Sequence, residues 1–177
     1  VLRSLNSNSL RSDRIHVVNE DATTFLQGTA GVYDVIIADF PDPRDPSLER
    51  LYTTELYRLI RRHLAADGAF VTQATSPYFA PRAFWCIEAT VATVWPNARS
   101  YHVDVPSFGD WGFVLASAVA PDPSRLAPRV PTRFLSPGVL GASFAFGDDV
   151  LAYRDDVRPN TLVQPVLAGY YGQGWRR

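Results

Sequence analysis

A chain of 177 residues is long enough for one domain with a hydrophobic core and too short to expect two. Its 46% hydrophobic and 20% charged residues are those of an ordinary globular protein. A net charge of −1 leaves no electrostatic footprint for nucleic acid or an anionic lipid surface, and no apolar run approaches a membrane span. The lone Cys86 excludes an internal disulfide and fits a packed thiol in a reducing compartment. Methionine is absent and the chain opens on Val1, which reads as a piece of a longer protein.

In chain order, Leu2, Leu5 and Leu10 make a weak helical stripe among poor helix formers. Residues 14–19 read as a strand closed by Glu20-Asp21-Ala22, and a short helix follows over 23–27. Residues 34–39 hold four consecutive apolar side chains, Val35 to Ala38, that run into Asp39. So short an apolar run predicts a strand buried on both faces, as in a parallel sheet. Leucine and isoleucine at 51, 56, 59, 60 and 64 predict a helix over 51–65, stopped at Asp67-Gly68. Residues 69–75 predict a further strand ending at Gln73, Thr75 and Ser76, and Pro81 opens a helix expected to reach Trp95.

Residues 101–105 and 112–117 predict an antiparallel strand pair, with Trp111 in the glycine-flanked loop between them. The proline- and arginine-rich stretch 121–137 is expected on the surface. Residues 161–175 predict a last helix whose glycines, 169–174, read as a fraying end. Strand–helix alternation to about residue 98 implies an α/β, Rossmann-like sheet, mostly parallel and finished by an antiparallel hairpin. The expected division is a sheet domain over 1–120 and a packing extension over 121–177.

The candidate site is the loop after the apolar strand. Asp39 falls at the carboxyl end of that strand, the rim where open α/β sheets bind ligands. Pro41 and Pro43 forbid helix and stiffen the backbone around a second acid, Asp42. Two carboxylates on a stiff loop suit a cationic ligand; the plain alternative is a turn whose aspartates cap backbone amides. Histidines 16, 63 and 102 have no metal-ligand spacing and read as structural or surface residues.

Five segments, in this order, carry a family resemblance: Val18-Asn-Glu-Asp-Ala22, Asp34-Val-Ile-Ile-Ala-Asp-Phe-Pro-Asp-Pro43, Leu51-Tyr-Thr-Thr-Glu-Leu-Tyr57, Gln73-Ala-Thr-Ser-Pro-Tyr-Phe-Ala-Pro81 and Val105-Pro-Ser-Phe-Gly-Asp-Trp-Gly-Phe113. The chain resembles the spermidine synthases (polyamine aminopropyltransferases), in particular the branch whose soluble domain follows a membrane-embedded region. The resemblance implies a methyltransferase-type sheet, here truncated at its N-terminus, on the cytoplasmic side of the cell membrane. It also implies no permanently bound cofactor, decarboxylated S-adenosylmethionine as co-substrate, putrescine or a similar diamine as acceptor, and room for a homo-oligomer.

Carried across by position, Asp39 matches the catalytic aspartate and Asp42 its partner on the diamine. Asp21, with Ala22, matches the acid that contacts the adenine amino group. Phe108 stands where the family often has a tyrosine touching the amine, and Trp111 is the ring best placed to face a cation. Tyr52 and Gln73 lie in family-typical segments without assigned roles. The family's glycine turn and ribose acid would precede Val1, so the 177 residues alone are expected to be inactive. An amino-directed methyltransferase on the same fold, or a non-catalytic polyamine-binding relative, are the alternatives.

Overall fold

The computed structural model describes residues 8–174. The leucine stripe at Leu2 and Leu5, and the end of the expected tail helix at Trp175, lie outside the described residues.

The predicted strand at 14–19 does not form. Residues 15–19 run without regular structure, with Ile15, Val17 and Val18 exposed. A strand is completed by a neighbour's hydrogen bonds, and among the described residues no strand lies beside this stretch. Helix α1, Ala22–Gly28, follows at the expected place, its first amides accepted by the Asp21 carboxylate.

Strand β1, Tyr33–Ala38, is the predicted apolar strand, but only one of its faces is covered. Val35 and Ile37 are 59% and 72% exposed, while Ala38 is 5% exposed. Among the described residues β1 is an edge strand whose single neighbour is β2, Leu64–Gln73, in parallel register from Val35 opposite Ala69 to Ala38 opposite Thr72. An apolar run cannot itself tell a doubly covered strand from one with a bare face.

The helix expected over 51–65 is divided. α2 spans Pro46–Glu49, a 3-10 turn spans Arg50–Tyr52, and α3 spans Thr54–Arg62. Thr53 breaks the pattern: its backbone is extended and its hydroxyl accepts from the Leu56 amide. Tertiary bonds hold the break open, because the Tyr52 carbonyl accepts from Asn160 Nδ2 and the Thr54 amide donates to the Asn160 carbonyl. α3 ends at His63 rather than at Asp67-Gly68; β2 has begun by then, and those two residues lie in its irregular first half.

α4, Pro81–Ala92, is buried over most of its length. β3, Arg99–Val105, and β4, Gly109–Ser117, form the predicted antiparallel hairpin, turned at Pro106–Phe108 with Gly109 at φ +76°. Trp111 is therefore a strand residue opposite Val103, not a loop residue. β4 also pairs antiparallel with β2, so among the described residues the sheet order is β1-β2-β4-β3 with one parallel pairing. Phe70, Val114 and Ala116 are fully buried on the sheet face packed by α4, and Phe70 stacks on Trp95 at 5.0 Å between ring centroids. Each such buried ring contributes roughly 1.5–3 kcal/mol. Gly112 admits Phe84 of α4 so closely that an added Cβ would lie 2.3 Å from its ring.

Residues 121–135 run over the surface, as expected, with one short 3-10 turn. Beyond them α5, Pro137–Ala142, α6, Asp148–Leu151, and α7, Leu167–Gly174, complete the described chain. α7 is not a fraying end. It packs on α4, and an added Cβ on Gly174 would lie 2.3 Å from the Phe79 carbonyl oxygen.

Candidate active site

β1 delivers Asp39 to its carboxyl end, and the two prolines that follow leave a loop with few amide donors of its own. Two side chains from the neighbouring elements hold this loop through its carbonyls. Tyr52 donates its hydroxyl to the Pro41 carbonyl at 2.9 Å, with the Phe40 carbonyl at 3.2 Å. Gln73 Nε2 donates to the Phe40 carbonyl at 2.7 Å and also to the Tyr52 oxygen. Burial, reinforced by Tyr57 and Asp42 nearby, raises the Tyr52 phenol well above its usual value, so it stays a neutral donor. Phe40 meets the Tyr52 ring edge-on at 5.8 Å.

Gln73 Oε1 in turn accepts the Thr75 amide at 2.7 Å. Thr75 has φ +59°, a left-handed conformation that a β-branched residue rarely takes. Its carbonyl accepts from the Gly112 amide at 2.7 Å, so the turn after β2 is clamped from both sides. Such strain, of order 1–3 kcal/mol, persists where the surroundings over-determine it, commonly at binding sites.

Asp39 lines an open cleft of about 410 Å³ on the bare face of the sheet. Ile37, Val71 and Gln73 form its floor, and the rings of Tyr101, Phe108, Trp111 and Phe113 its wall. Phe108 and Trp111 lie 5.3 Å apart, and Tyr101 stacks on Phe113 at 5.2 Å. Three of the six expected site residues, Asp39, Phe108 and Trp111, are thus brought together. Asp42 is half-buried and does not line the cleft. Its Oδ1 accepts from Gln73 Nε2 at 3.4 Å; its Oδ2 accepts from Thr75 Oγ1 at 3.4 Å and from the Tyr171 hydroxyl at 2.9 Å.

Asp21 and Ala22 stand apart, at the start of α1. Asp21 Oδ1 accepts the Thr23 and Thr24 amides, both at 3.0 Å, and the residue borders a separate hollow of about 630 Å³ with Arg50, Leu51, Arg58 and Arg62. Among the described residues no cluster of His, Cys, Asp and Glu could hold a metal ion, and no helix is long and apolar enough to cross a membrane.

The profile of the spermine/spermidine synthase domain matches residues 1–123. The chain belongs to that family. It is 44% identical over 178 aligned residues to polyamine aminopropyltransferase 2 of Ralstonia nicotianae, a match covering 98% of this chain and 34% of the relative. Against polyamine aminopropyltransferase 1 of Streptomyces coelicolor the identity is 46%, covering 99% of this chain and 33% of the relative. The chain therefore spans about a third of the length of these curated relatives.

Among solved structures, spermidine synthase from Thermotoga maritima superposes with a TM-score of 0.70 at 22% identity, over 87% of this chain and 54% of that one. A spermidine synthase in complex with the transition-state analogue AdoDATO gives 0.73 at 24% identity, over 87% and 55%. These likenesses show the fold: the α/β chain has the methyltransferase-like architecture of spermidine synthase.

Several residues of this cleft and of the Asp42 cluster are not among those expected from the sequence. Tyr101 and Phe113 build the cleft wall; their alternation along β3 and β4 places them on one face, and could have named them. Tyr78, in the family-like segment after Gln73, lies in another hollow with Pro77, Phe79 and Tyr153. Tyr171 arrives from a helix 129 residues beyond Asp42, and no local pattern marks it.

Proposed function

We propose that the full-length protein transfers an aminopropyl group from decarboxylated S-adenosylmethionine to a diamine such as putrescine, giving spermidine and 5′-methylthioadenosine. The observation that carries this reading is Asp39 at a strand end beside an aromatic cleft, in a chain whose family and relatives are polyamine aminopropyltransferases. The amine nitrogen attacks the carbon next to the sulfonium, the carbon–sulfur bond breaks, and a neutral thioether leaves, so no general acid is needed.

Asp39 orients the attacking nitrogen and takes the proton released as the new bond forms. An aspartate near its usual pKa of ~3.9 is a weak base for a free alkylammonium. The amine must therefore be delivered neutral, aided by the desolvating rings of Phe108 and Trp111 and the nearby sulfonium charge. Asp42 holds the remote ammonium by a charge-assisted hydrogen bond. Asp21 and Ala22 contribute to the adenine side, with the remaining nucleoside contacts in the region outside this chain. The sheet portion, 1–120, carries the chemistry and 121–177 braces it; a membrane-embedded region elsewhere in the protein, on whose cytoplasmic side this domain would work, belongs to the same proposal.

Incubating the full-length protein with putrescine and decarboxylated S-adenosylmethionine should release methylthioadenosine. Release of adenosylhomocysteine from S-adenosylmethionine instead would assign a methyltransferase, and putrescine binding without turnover a non-catalytic relative.

A further inference from the structure

The Asp42 carboxylate is gripped unevenly. Oδ2 takes the 2.9 Å bond from the Tyr171 hydroxyl and the longer one from Thr75 Oγ1. Oδ1 has the 3.4 Å contact from Gln73 Nε2, whose hydrogens already serve the Phe40 carbonyl and the Tyr52 oxygen. Gln73, the partner of Oδ1, lines the cleft, whereas Thr75 and Tyr171, the partners of Oδ2, do not; with its one long contact, Oδ1 is the oxygen with room for another donor.

Tyr171 is itself rigidly delivered. The first amides of α7 are taken by buried side chains: Asn160 Oδ1 accepts from Val166 and Leu167, and Glu49 Oε2 accepts from Ala168 at 2.9 Å. Leu167, one helical turn before Tyr171 on the same face, is fully buried. At the other end Gly174 lies flush against the backbone of Phe79 and Ala80. Both ends of the helix are thus fixed, and the hydroxyl between them reaches Asp42 from a residue that does not line the cleft.

We infer that Tyr171 is a positioning residue for diamine recognition: by holding Oδ2 of Asp42 it presents Oδ1 to the remote ammonium of the substrate. The inference rests on the aminopropyl-transfer reading above. Removing the hydroxyl leaves the carboxylate only its two 3.4 Å contacts, and a loosely held anchor binds less well than a preorganised one. The cost falls on the diamine and not on the chemical step, because Tyr171 bonds Asp42 and is not among the residues that line the cleft with Asp39.

The test compares Tyr171→Phe with Tyr170→Phe, Asp42→Asn and the Tyr171→Phe/Asp42→Asn pair in the full-length enzyme. Tyr171→Phe should raise the KM for putrescine on the order of 10-fold, the scale of one hydrogen bond to a charged group. The kcat should change less than about 2-fold, and methylthioadenosine affinity should hold. Tyr170→Phe should match wild type. In the Asp42→Asn background the Tyr171 change should add nothing, since the two act as one unit.

An unchanged or lowered putrescine KM, parallel losses of kcat and nucleoside affinity, or full additivity with Asp42→Asn would each overturn the inference while leaving aminopropyl transfer standing. A wild-type enzyme that releases no methylthioadenosine would overturn the functional reading, and this inference with it.

Discussion

Asn160 is fully buried, and its side chain ties three parts of the chain together. Nδ2 donates to the Glu49 carbonyl at 3.0 Å and the Tyr52 carbonyl at 3.1 Å; Oδ1 accepts the Val166 amide at 3.0 Å and the Leu167 amide at 3.4 Å. Asn160→Ala leaves two carbonyls and two amides without these partners. Each buried polar group so orphaned costs about 1–3 kcal/mol, but the start of α7 can open and let water reach some of them. The expected loss is therefore about 3–5 kcal/mol, at the large end for one substitution.

Urea unfolding of the full-length protein, followed by the fluorescence of the buried Trp85 and Trp95, reads this directly. With a urea slope near ~2 kcal/mol/M, the midpoint should fall by roughly 2 M. Asn160→Asp should behave similarly, because it keeps an acceptor but turns an oxygen toward two carbonyls. A loss below about 1 kcal/mol for both variants would refute the view that Asn160 anchors α7 to the break before α3.

Three further outcomes follow from the same structure. Asp39→Asn should lower the turnover of the full-length enzyme by about 10²–10⁴-fold with little change in putrescine KM; near wild-type kcat would remove Asp39 from the proton-transfer role. Gly112→Ala should cost about 1–3 kcal/mol in the same urea assay, because the new methyl meets the Phe84 ring at 2.3 Å and the Thr75 carbonyl at 2.8 Å; undiminished stability would show that α4 can retreat. Burial raises the phenols of Tyr52 and Tyr57 above their usual value of 10.0, so the unfolded chain loses these protons first as pH rises. Their stabilisation is whole below about pH 10 and declines above it, and Tyr57→Phe should flatten the alkaline fall in unfolding free energy; an unchanged slope would count against it.

The elements legible in the amino-acid sequence are local ones. Pro81 and the apolar pattern after it specify α4, and alternation specifies the β3–β4 hairpin. The run Val35 to Ala38 places β1 and sets Asp39 at its end. Each rests on side chains a few residues apart, the range over which periodicity and turn chemistry act.

Tertiary structure decided the rest. Residues 14–19 have strand composition but no strand beside them among the described residues, and a ladder needs two partners. The leucine stripe of 51–65 is helical in pattern, yet Thr53 leaves the helix because Asn160, far along the chain, binds the backbone on either side of it. Asp21 closes its segment as a helix cap, its Oδ1 accepting the Thr23 and Thr24 amides. Asp42 was legible as a second acid on a stiff loop. Its partner Tyr171 was not, because a hydrogen bond across 129 residues leaves no periodic trace in the sequence and exists only once α7 has docked.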